Sequence, residues 1–328
     1  MNIYDIAKEA GVSISTVSRV LNKKENVNEE TRCKVEEILK KYDYVPSGIA
    51  RGMVSKSMKT VAILTVDVRV PQYARIAYTI EREFSKRGYN VQLCNTGGDL
   101  EEAVQYLDVV TSKQVDGVVL VGSIFNRIEL DERVASLLKH IPVVVANGQL
   151  NLPGCYSVLV DDRLGISLAV DHLYQKGHRE IFYLKDMDTD SAQRKQAGFL
   201  ETMKRLGLDG ASHIRETEFG LQGGMQAVQR LLDSEVEVSA IVCGEDLTAV
   251  GVLKGLKCAG IKVPEEIAVT GFNHSDYAKV CEPELTTVDN KAELVGGLSV
   301  QLLETLIRKG EHYASMVVQP QLVLGRSS

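Results

Sequence analysis

From residue 61 onward the chain alternates short, β-branched apolar runs with amphipathic stretches of helical period, and this alternation restricts the fold more than any other feature. Residues 61–66, 91–94, 117–121, 143–146, 181–184, 240–243 and 267–270 read as buried parallel strands, each near turn residues. Tyr73, Ile76, Ala77, Ile80 and Phe84 mark the first helix between them, and Gly88 ends it. Strand and helix taken in turn imply a doubly wound α/β architecture, and about 270 residues of it imply two such lobes. No internal sequence repeat or low-complexity tract interrupts the pattern.

A different pattern fills the first 45 or so residues. Ile3, Ile6, Ala7 and Ala10 recur at i, i+3, i+4 and i+7, so one stripe of a first helix is apolar. Gly11 stops that helix, because glycine accepts the left-handed conformation a helix C-terminus favours. Ser13 caps a second helix with Val17, Val20 and Leu21 as its buried stripe, and the other face carries Ser15, Thr16, Ser18, Arg19 and Asn22. Short hydrogen-bonding side chains plus one bidentate donor suit phosphate oxygens and guanine edges. A third helix starts from Asn28, with Val35, Ile38, Leu39 and Tyr42 spaced to close a small core. Three such helices make an all-α helix-turn-helix domain, although the first two alone also fit a plain packed hairpin.

The charge distribution agrees with DNA binding at one end. The 328 residues carry a formal net charge of -6, yet residues 1–59 hold 11 Lys and Arg against 8 Asp and Glu, a balance of +3, and the remainder holds -9. So small a positive balance per chain favours binding by two copies, since affinity scales with the phosphates neutralised. The six cysteines, Cys33, Cys94, Cys155, Cys243, Cys258 and Cys281, show no C-x-x-C spacing, which suits reduced thiols rather than a disulfide framework or zinc site. No signal-peptide pattern and no membrane-length apolar run is visible, so a cytoplasmic, nucleoid-associated protein is expected.

Competing functions lack their motifs. There is no G-x-G-x-x-G after a strand, no G-x-x-x-x-G-K-[ST], no G-x-S-x-G and no H-E-x-x-H, so no catalytic residue, metal site or cofactor is assigned. His178, in a Gly-His-Arg turn, reads as structural. A secreted solute-binding protein would share the two-lobed α/β fold, but it would need an export signal and no recognition helix.

The ordered motifs Tyr4-Asp5-Ile6-Ala7, Ala10-Gly11-Val12-Ser13, Thr16-Val17-Ser18-Arg19-Val20-Leu21-Asn22, Tyr44-Val45-Pro46 and Ala50-Arg51 continue through Asp161-Asp162-Arg163-Leu164-Gly165, Gly177-His178-Arg179, Gly198-Phe199, Val263-Pro264-Glu265-Glu266-Ile267 and Leu285-Thr286-Thr287-Val288. By these the chain resembles, over essentially its whole length, the lactose-repressor (LacI/GalR) family of bacterial transcription regulators. The resemblance implies a helix-turn-helix domain at 1–46, a hinge helix and linker at 47–56, and a periplasmic-binding-protein-like sensor at 57–328. The sensor chain would cross between lobes near 158, 288 and 319, giving an N-lobe of about 57–158 plus 289–319 and a C-lobe of about 159–288 plus 320–328.

The same resemblance implies roles. Ile14 and Ser15 take the two base-reading positions at the start of the recognition helix, and Arg19 matches the arginine that reaches guanine O6 and N7. Thr16, Ser18 and Asn22 become phosphate-positioning groups. Ala50 and Met53 belong to the hinge that enters the minor groove, where Met53 replaces the usual leucine wedge. Gly52 beside it disfavours a helix by about 0.8 to 1 kcal/mol relative to alanine, so the hinge is expected to be marginal.

Effector contacts are expected from Asp67, Tyr73, Asn147, Lys195, Glu245, Asn273 and Asn290, with Tyr277 and Phe219 as further candidates. Four depart from common family usage: Asn147 stands for an acidic residue, Lys195 for arginine, Glu245 for asparagine and Asn273 for an acidic residue. Lys195 and Glu245 either hold ligand or pair with each other. The mixture suits a compact sugar or polyol, and Glu245 favours an amino or donor-rich substituent; a purine is the alternative, weakened by the lack of a clear stacking ring. The expected protein is a homodimeric repressor on pseudo-palindromic operator DNA. With no leucine-heptad tail after Leu324-Gly325-Arg326, a dimer is favoured over a tetramer. Induction and corepression obey the same linkage, so the sign of the effector's action is left open.

Overall fold

A computed structural model describes residues 2–21, 26–44, 57–234, 236–309 and 314–328, and the chain divides into two compact units, residues 1–59 and 60–328. Asn22, Ala50, Gly52, Met53 and the expected hinge helix lie outside the described residues.

The first unit contains α1 (Ile3–Ala10), α2 (Ile14–Leu21) and α3 (Glu29–Lys41). Asn2 starts α1 by a reciprocal capping box: its side chain accepts from the Tyr4 and Asp5 amides, and the Asp5 carboxylate accepts from the Asn2 amide at 2.9 Å. Gly11 ends it in the left-handed region at φ 69°, which glycine adopts without a Cβ clash. Ile6, Ala7 and Ala10 then meet Val17, Val20, Val35 and Ile38 in one core, with Leu21 and Leu39 partly buried at its edge. Tyr42 departs from the expected stripe. It lies beyond the end of α3, is largely exposed, and donates its hydroxyl to Glu9, which also pairs with Lys41 at 2.8 Å.

The second unit holds two six-stranded sheets. The first contains β1 (Thr60–Thr65), β2 (Asn90–Asn95), β3 (Gly117–Val121), β4 (Val143–Ala146), β5 (Cys155–Val160) and a late strand, β11 (Met316–Val318), in the order β11-β5-β4-β3-β1-β2, all parallel. The second contains β6 (Ile181–Lys185), β7 (Ile214–Glu216), β8 (Ala240–Cys243), β9 (Ala268–Phe272), β10 (Thr286–Asp289) and β12 (Gln321–Val323), in the order β12-β10-β9-β8-β6-β7, with only β12 antiparallel. The two orders superpose strand for strand. The lobes therefore share one strand order and differ in the direction of one edge strand, parallel β11 against antiparallel β12, although no internal repeat shows in the sequence.

Helices cover both faces of each sheet, which is why the strands are apolar on both sides. On the first sheet α4 (Pro71–Lys86) and α12 (Ala292–Lys309) bury one face, while α5 (Leu100–Ser112), a 3₁₀ segment (Ser123–Leu130) and α6 (Glu132–Leu138) bury the other. On the second, α7 (Asp162–Gln175) and α8 (Asp190–Arg205) cover one face and α9 (Leu221–Asp233) and α10 (Asp246–Cys258) the other, with short α11 (Asp276–Val280) alongside α10. The chain passes between sheets three times: from β5 to α7, from β10 to α12, and from β11 to β12. Among the described residues no helix is long and apolar enough to cross a membrane.

Candidate effector cleft and DNA-recognition helix

In α2 the Ser13 hydroxyl accepts from the Thr16 amide at 3.2 Å and shares hydrogen bonds with the Ser15 and Thr16 hydroxyls at 2.7 and 2.9 Å. The cap therefore organises the two following hydroxyls as well as the helix end. Ile14, Ser15 and Arg19 stand exposed, and Thr16 is half-buried beside them. Ser18 differs from the expectation that it lies on the open face: it is 7% exposed and sits on the packed side of α2. Successive α2 side chains are separated by about 100°, so Ser18, next to buried Val17, turns inward while Ser15 and Arg19 turn out.

The second candidate site follows from the topology. In a doubly wound sheet, ligands bind beyond the carboxyl ends of the strands, where helix N-termini and polar loops converge. Six polar residues occupy such positions here: Ser123 after β3, Asn147 after β4, Asp186 after β6, Glu245 after β8, Asn273 after β9 and Asn290 after β10. All six are buried. Asn147 and Asn273 are equivalent in the two lobes: both take positive φ, 57° and 99°, and each donates its amide to the neighbouring strand, to Val158 and Val288, at 2.7 Å. Asparagine tolerates that conformation better than most residues, so backbone as well as side chain favours it at both sites.

A space of about 340 Å³, counting its open mouth, lies between the lobes and is lined by Gln72, Tyr73 and Asn147 from one side and Asp186, Lys195 and Glu245 from the other. The Lys195 ammonium donates to the Gly244 carbonyl at 2.7 Å and to Glu245 Oε1 at 3.0 Å, and stands 4.1 Å above the Phe272 ring. Asn273 donates to the second Glu245 oxygen, and Asn290 donates to Asn273 at 2.7 Å. Lys195 and Glu245 thus form an ion pair inside the second lobe while also lining the cleft. Burial pushes the Glu245 carboxyl up to about 7, against the pull of Lys195. Burial acts to lower the Lys195 ammonium, but the carboxylates of Glu245, Asp162 and Asp186 outweigh it and hold it above its usual range.

Other expected residues fall elsewhere. Both Asp67 oxygens are taken by the Arg69 guanidinium at the end of β1, the closest contact being 2.7 Å. Asn290 supports Asn273 rather than lining the space. Phe219 and Tyr277, partly exposed, line an adjoining space with Val70 and Pro71, so two rings do stand at the mouth despite the sparse aromatic composition. Sequence reasoning missed Gln72, Ser123, Asp186, Thr189 and Ser191. Asp186, Thr189 and Ser191 form a small-polar run just after a readable strand, and that position was the available signal.

Further contacts cross between the lobes: Asn126 with Asp190, Arg127 with the Asp188 carbonyl at 2.8 Å, Arg75 with the His274 carbonyl at 3.0 Å, and the Ser191 amide with Ser123 Oγ at 3.2 Å. These side chains tie the lobes at the rim of the cleft.

A helix-turn-helix unit joined to a two-lobed α/β sensor defines a ligand-responsive, sequence-specific DNA-binding regulator. Residues 2–47 match the description of bacterial regulatory proteins of the lacI family, and residues 170–328 match a periplasmic-binding-protein-like domain. An HTH-type transcriptional regulator of Lachnoclostridium phytofermentans is 34% identical over 312 residues, 94% of this chain and 92% of its own. The HTH-type transcriptional repressor PurR of Klebsiella pneumoniae subsp. pneumoniae is 31% identical, covering 99% of this chain and 96% of its own. The solved structure of a complex of the transcriptional regulator CelR with cellobiose superposes with a TM-score of 0.72 at 26% identity, covering 100% of both chains. The chain belongs to the lacI family of bacterial regulatory proteins. This is a family of transcription regulators, not of enzymes.

Proposed function

We propose that this regulator is a homodimeric repressor of a pseudo-palindromic operator, with DNA affinity set by a small polar effector, a carbohydrate or a derivative of one, held between the sensor lobes. The observation that carries the reading is the convergence of buried polar side chains from the ends of strands in both lobes on one space between them. The cellobiose complex of a similar chain supports a carbohydrate there. Ile14, Ser15 and Arg19 read bases, Thr16 positions phosphate, and the hinge segment with Ala50 and Met53 completes the DNA contact. Asn147, Lys195, Glu245 and Asn273 hold the effector, with Tyr73 beside them. Effector binding changes operator affinity only by its differential affinity for the two lobe arrangements. The protein acts where its operator is, on the bacterial chromosome.

A second reading, a planar effector such as a purine, rests on Phe219 and Tyr277 at the mouth, where they offer stacking surfaces. Selection of bound DNA from random duplexes, with and without fractionated metabolite pools, tests both. An enriched two-fold site whose retention responds to one fraction is expected. Enrichment of no sequence would overturn the operator reading, and a site indifferent to every fraction would overturn the effector reading.

A further inference from the structure

The lining of the cleft holds more negative than positive charge. Asp186 and Glu245 both line it, 8% and 7% exposed, and Lys195 is the single basic side chain among its lining residues. Lys195 is already engaged by Gly244 and Glu245. Asp186 receives the Thr248 hydroxyl and its own backbone N–H, and Thr248 in turn accepts the Gly220 amide. Just behind, Asp162 pairs with Arg194 at 2.8 Å, whereas Asp246 is met by the Ser275 amide and the Thr287 hydroxyl. Four buried carboxylates therefore face two cations. Independently, Asn147, 3% exposed, lines the same space and its amide oxygen has no hydrogen-bond partner. A buried acceptor left unpaired costs its full desolvation unless a ligand supplies the donor.

We propose that the effector carries a protonated primary amine, seated against Asp186, Glu245 and the Asn147 amide oxygen. This rests on the reading of the cleft as the effector site. An ammonium brings three donors, no acceptor and one positive charge, which is what this lining lacks. A neutral polyol satisfies the acceptors but brings no counter-charge, so the carboxylates beyond those that Lys195 and Arg194 neutralise must hold a proton to stay buried. Gln72, Ser123 and Thr189 line the same space, so an amino sugar combines the amine with the hydroxyls that these side chains are placed to meet.

Calorimetry of the full chain with glucosamine, galactosamine and mannosamine, each beside its neutral parent sugar and its N-acetyl derivative, tests the proposal. At least one amine is expected to bind about tenfold or more tightly than both of its uncharged partners, the scale of one charge-assisted hydrogen bond. Affinity for that amine should rise from about pH 5 to about pH 7 as the lining carboxylates lose protons, whereas a neutral sugar that uses a protonated carboxyl as donor should weaken. Asp186→Asn should abolish the preference; should that variant not fold, the acetylation series on the natural sequence still decides. A neutral parent that binds as tightly as its amine, or no binding by any of the three amines, overturns the proposal. A metabolite pool stripped of cations separates the two readings. A change of operator affinity in either direction with that pool sinks the amine and keeps the effector site, while no response to either the whole or the stripped pool sinks the effector site itself.

Discussion

Arg19 stands exposed on α2 with Ser15 and Thr16 on the preceding turn, their hydroxyls gathered by Ser13. A guanidinium there has the reach and fork geometry for a guanine edge, and a phosphate contact would show different behaviour. Arg19→Ala is expected to lose about 1 to 3 kcal/mol on the selected operator and much less on random duplex. Equal losses on both at matched salt would assign Arg19 to phosphate alone. In the cleft, residue chemistry sets a different logic. Lys195, Glu245, Asn273 and Asn290 form a continuous buried chain of hydrogen bonds, so each holds the next in place. Removing one partner leaves another buried and unsatisfied, which makes the chain rigid and gives ligand a fixed surface.

At the scale of elements, α9 and α10 approach until their backbones touch. A Cβ added at Gly224 would lie 2.2 Å from the Thr248 carbonyl oxygen, and one at Gly251 2.3 Å from the Leu221 oxygen. At Gly255 the nearest atoms are Val228 Cβ at 3.0 Å and Met225 Cα at 3.3 Å, a much smaller overlap. Backbone at 2.2 or 2.3 Å gives way only if the helices separate, whereas a shift of a few tenths of an ångström relieves the contact at Gly255. Gly224→Ala and Gly251→Ala should therefore destabilise the sensor by about 1 to 3 kcal/mol, and Gly255→Ala by clearly less. Chemical denaturation of the three variants checks the ordering, and a Gly255 variant as unstable as the other two would contradict it. This contact matters for the site because α10 begins at Asp246, directly after Glu245.

For the whole molecule, the buried carboxylates give stability an unusual pH profile. Burial raises Glu245 from 4.5 to about 7 and Asp246 from 3.8 to about 6, and it raises Asp186 and Asp162 as well. Between the ordinary carboxylate range and these raised values the folded chain binds more protons than the unfolded chain, so stability falls as pH rises through that window. The Lys195 ammonium, raised overall, contributes stability below its ordinary value of 10.5, outside this window. Surface pairs act the other way at the acid end: Lys86 and Arg87 lower Glu83 to about 2, a contribution lost as pH falls and small because it is exposed. The melting temperature should therefore drop by several degrees from about pH 5 to about pH 8 at fixed salt and protein concentration. Glu245→Gln and Asp246→Asn should flatten the drop. A melting temperature that stays level or rises across that range would show that these carboxylates titrate normally.

The sequence by itself determined the class. Periodicity marks α1, α2 and α4, glycine and serine mark the turn between α1 and α2, and apolar runs mark seven strands, six interior and β2 at an edge, because local spacing and conformational preference are written in consecutive residues. The edge strands β7, β11 and β12, three residues each, carry too little pattern to show, the interior strands β5 and β10 are missed because polar residues interrupt their apolar runs, and Ser18 and Tyr42 changed sides because a helical face is decided only by what packs on it. The family resemblance pointed to Asn147, Lys195, Glu245 and Asn273 and left a Lys195–Glu245 pair as one of two outcomes, but the geometry of the cleft belonged to tertiary structure. Lys195 and Glu245 are 50 residues apart in the chain, and Asn147 and Asp186 lie in different lobes. Their shared burial, the Lys195–Glu245 pair and the excess of negative charge arise only when parallel strands bring their carboxyl ends to one place, since a desolvation cost is a property of surroundings and not of residue type.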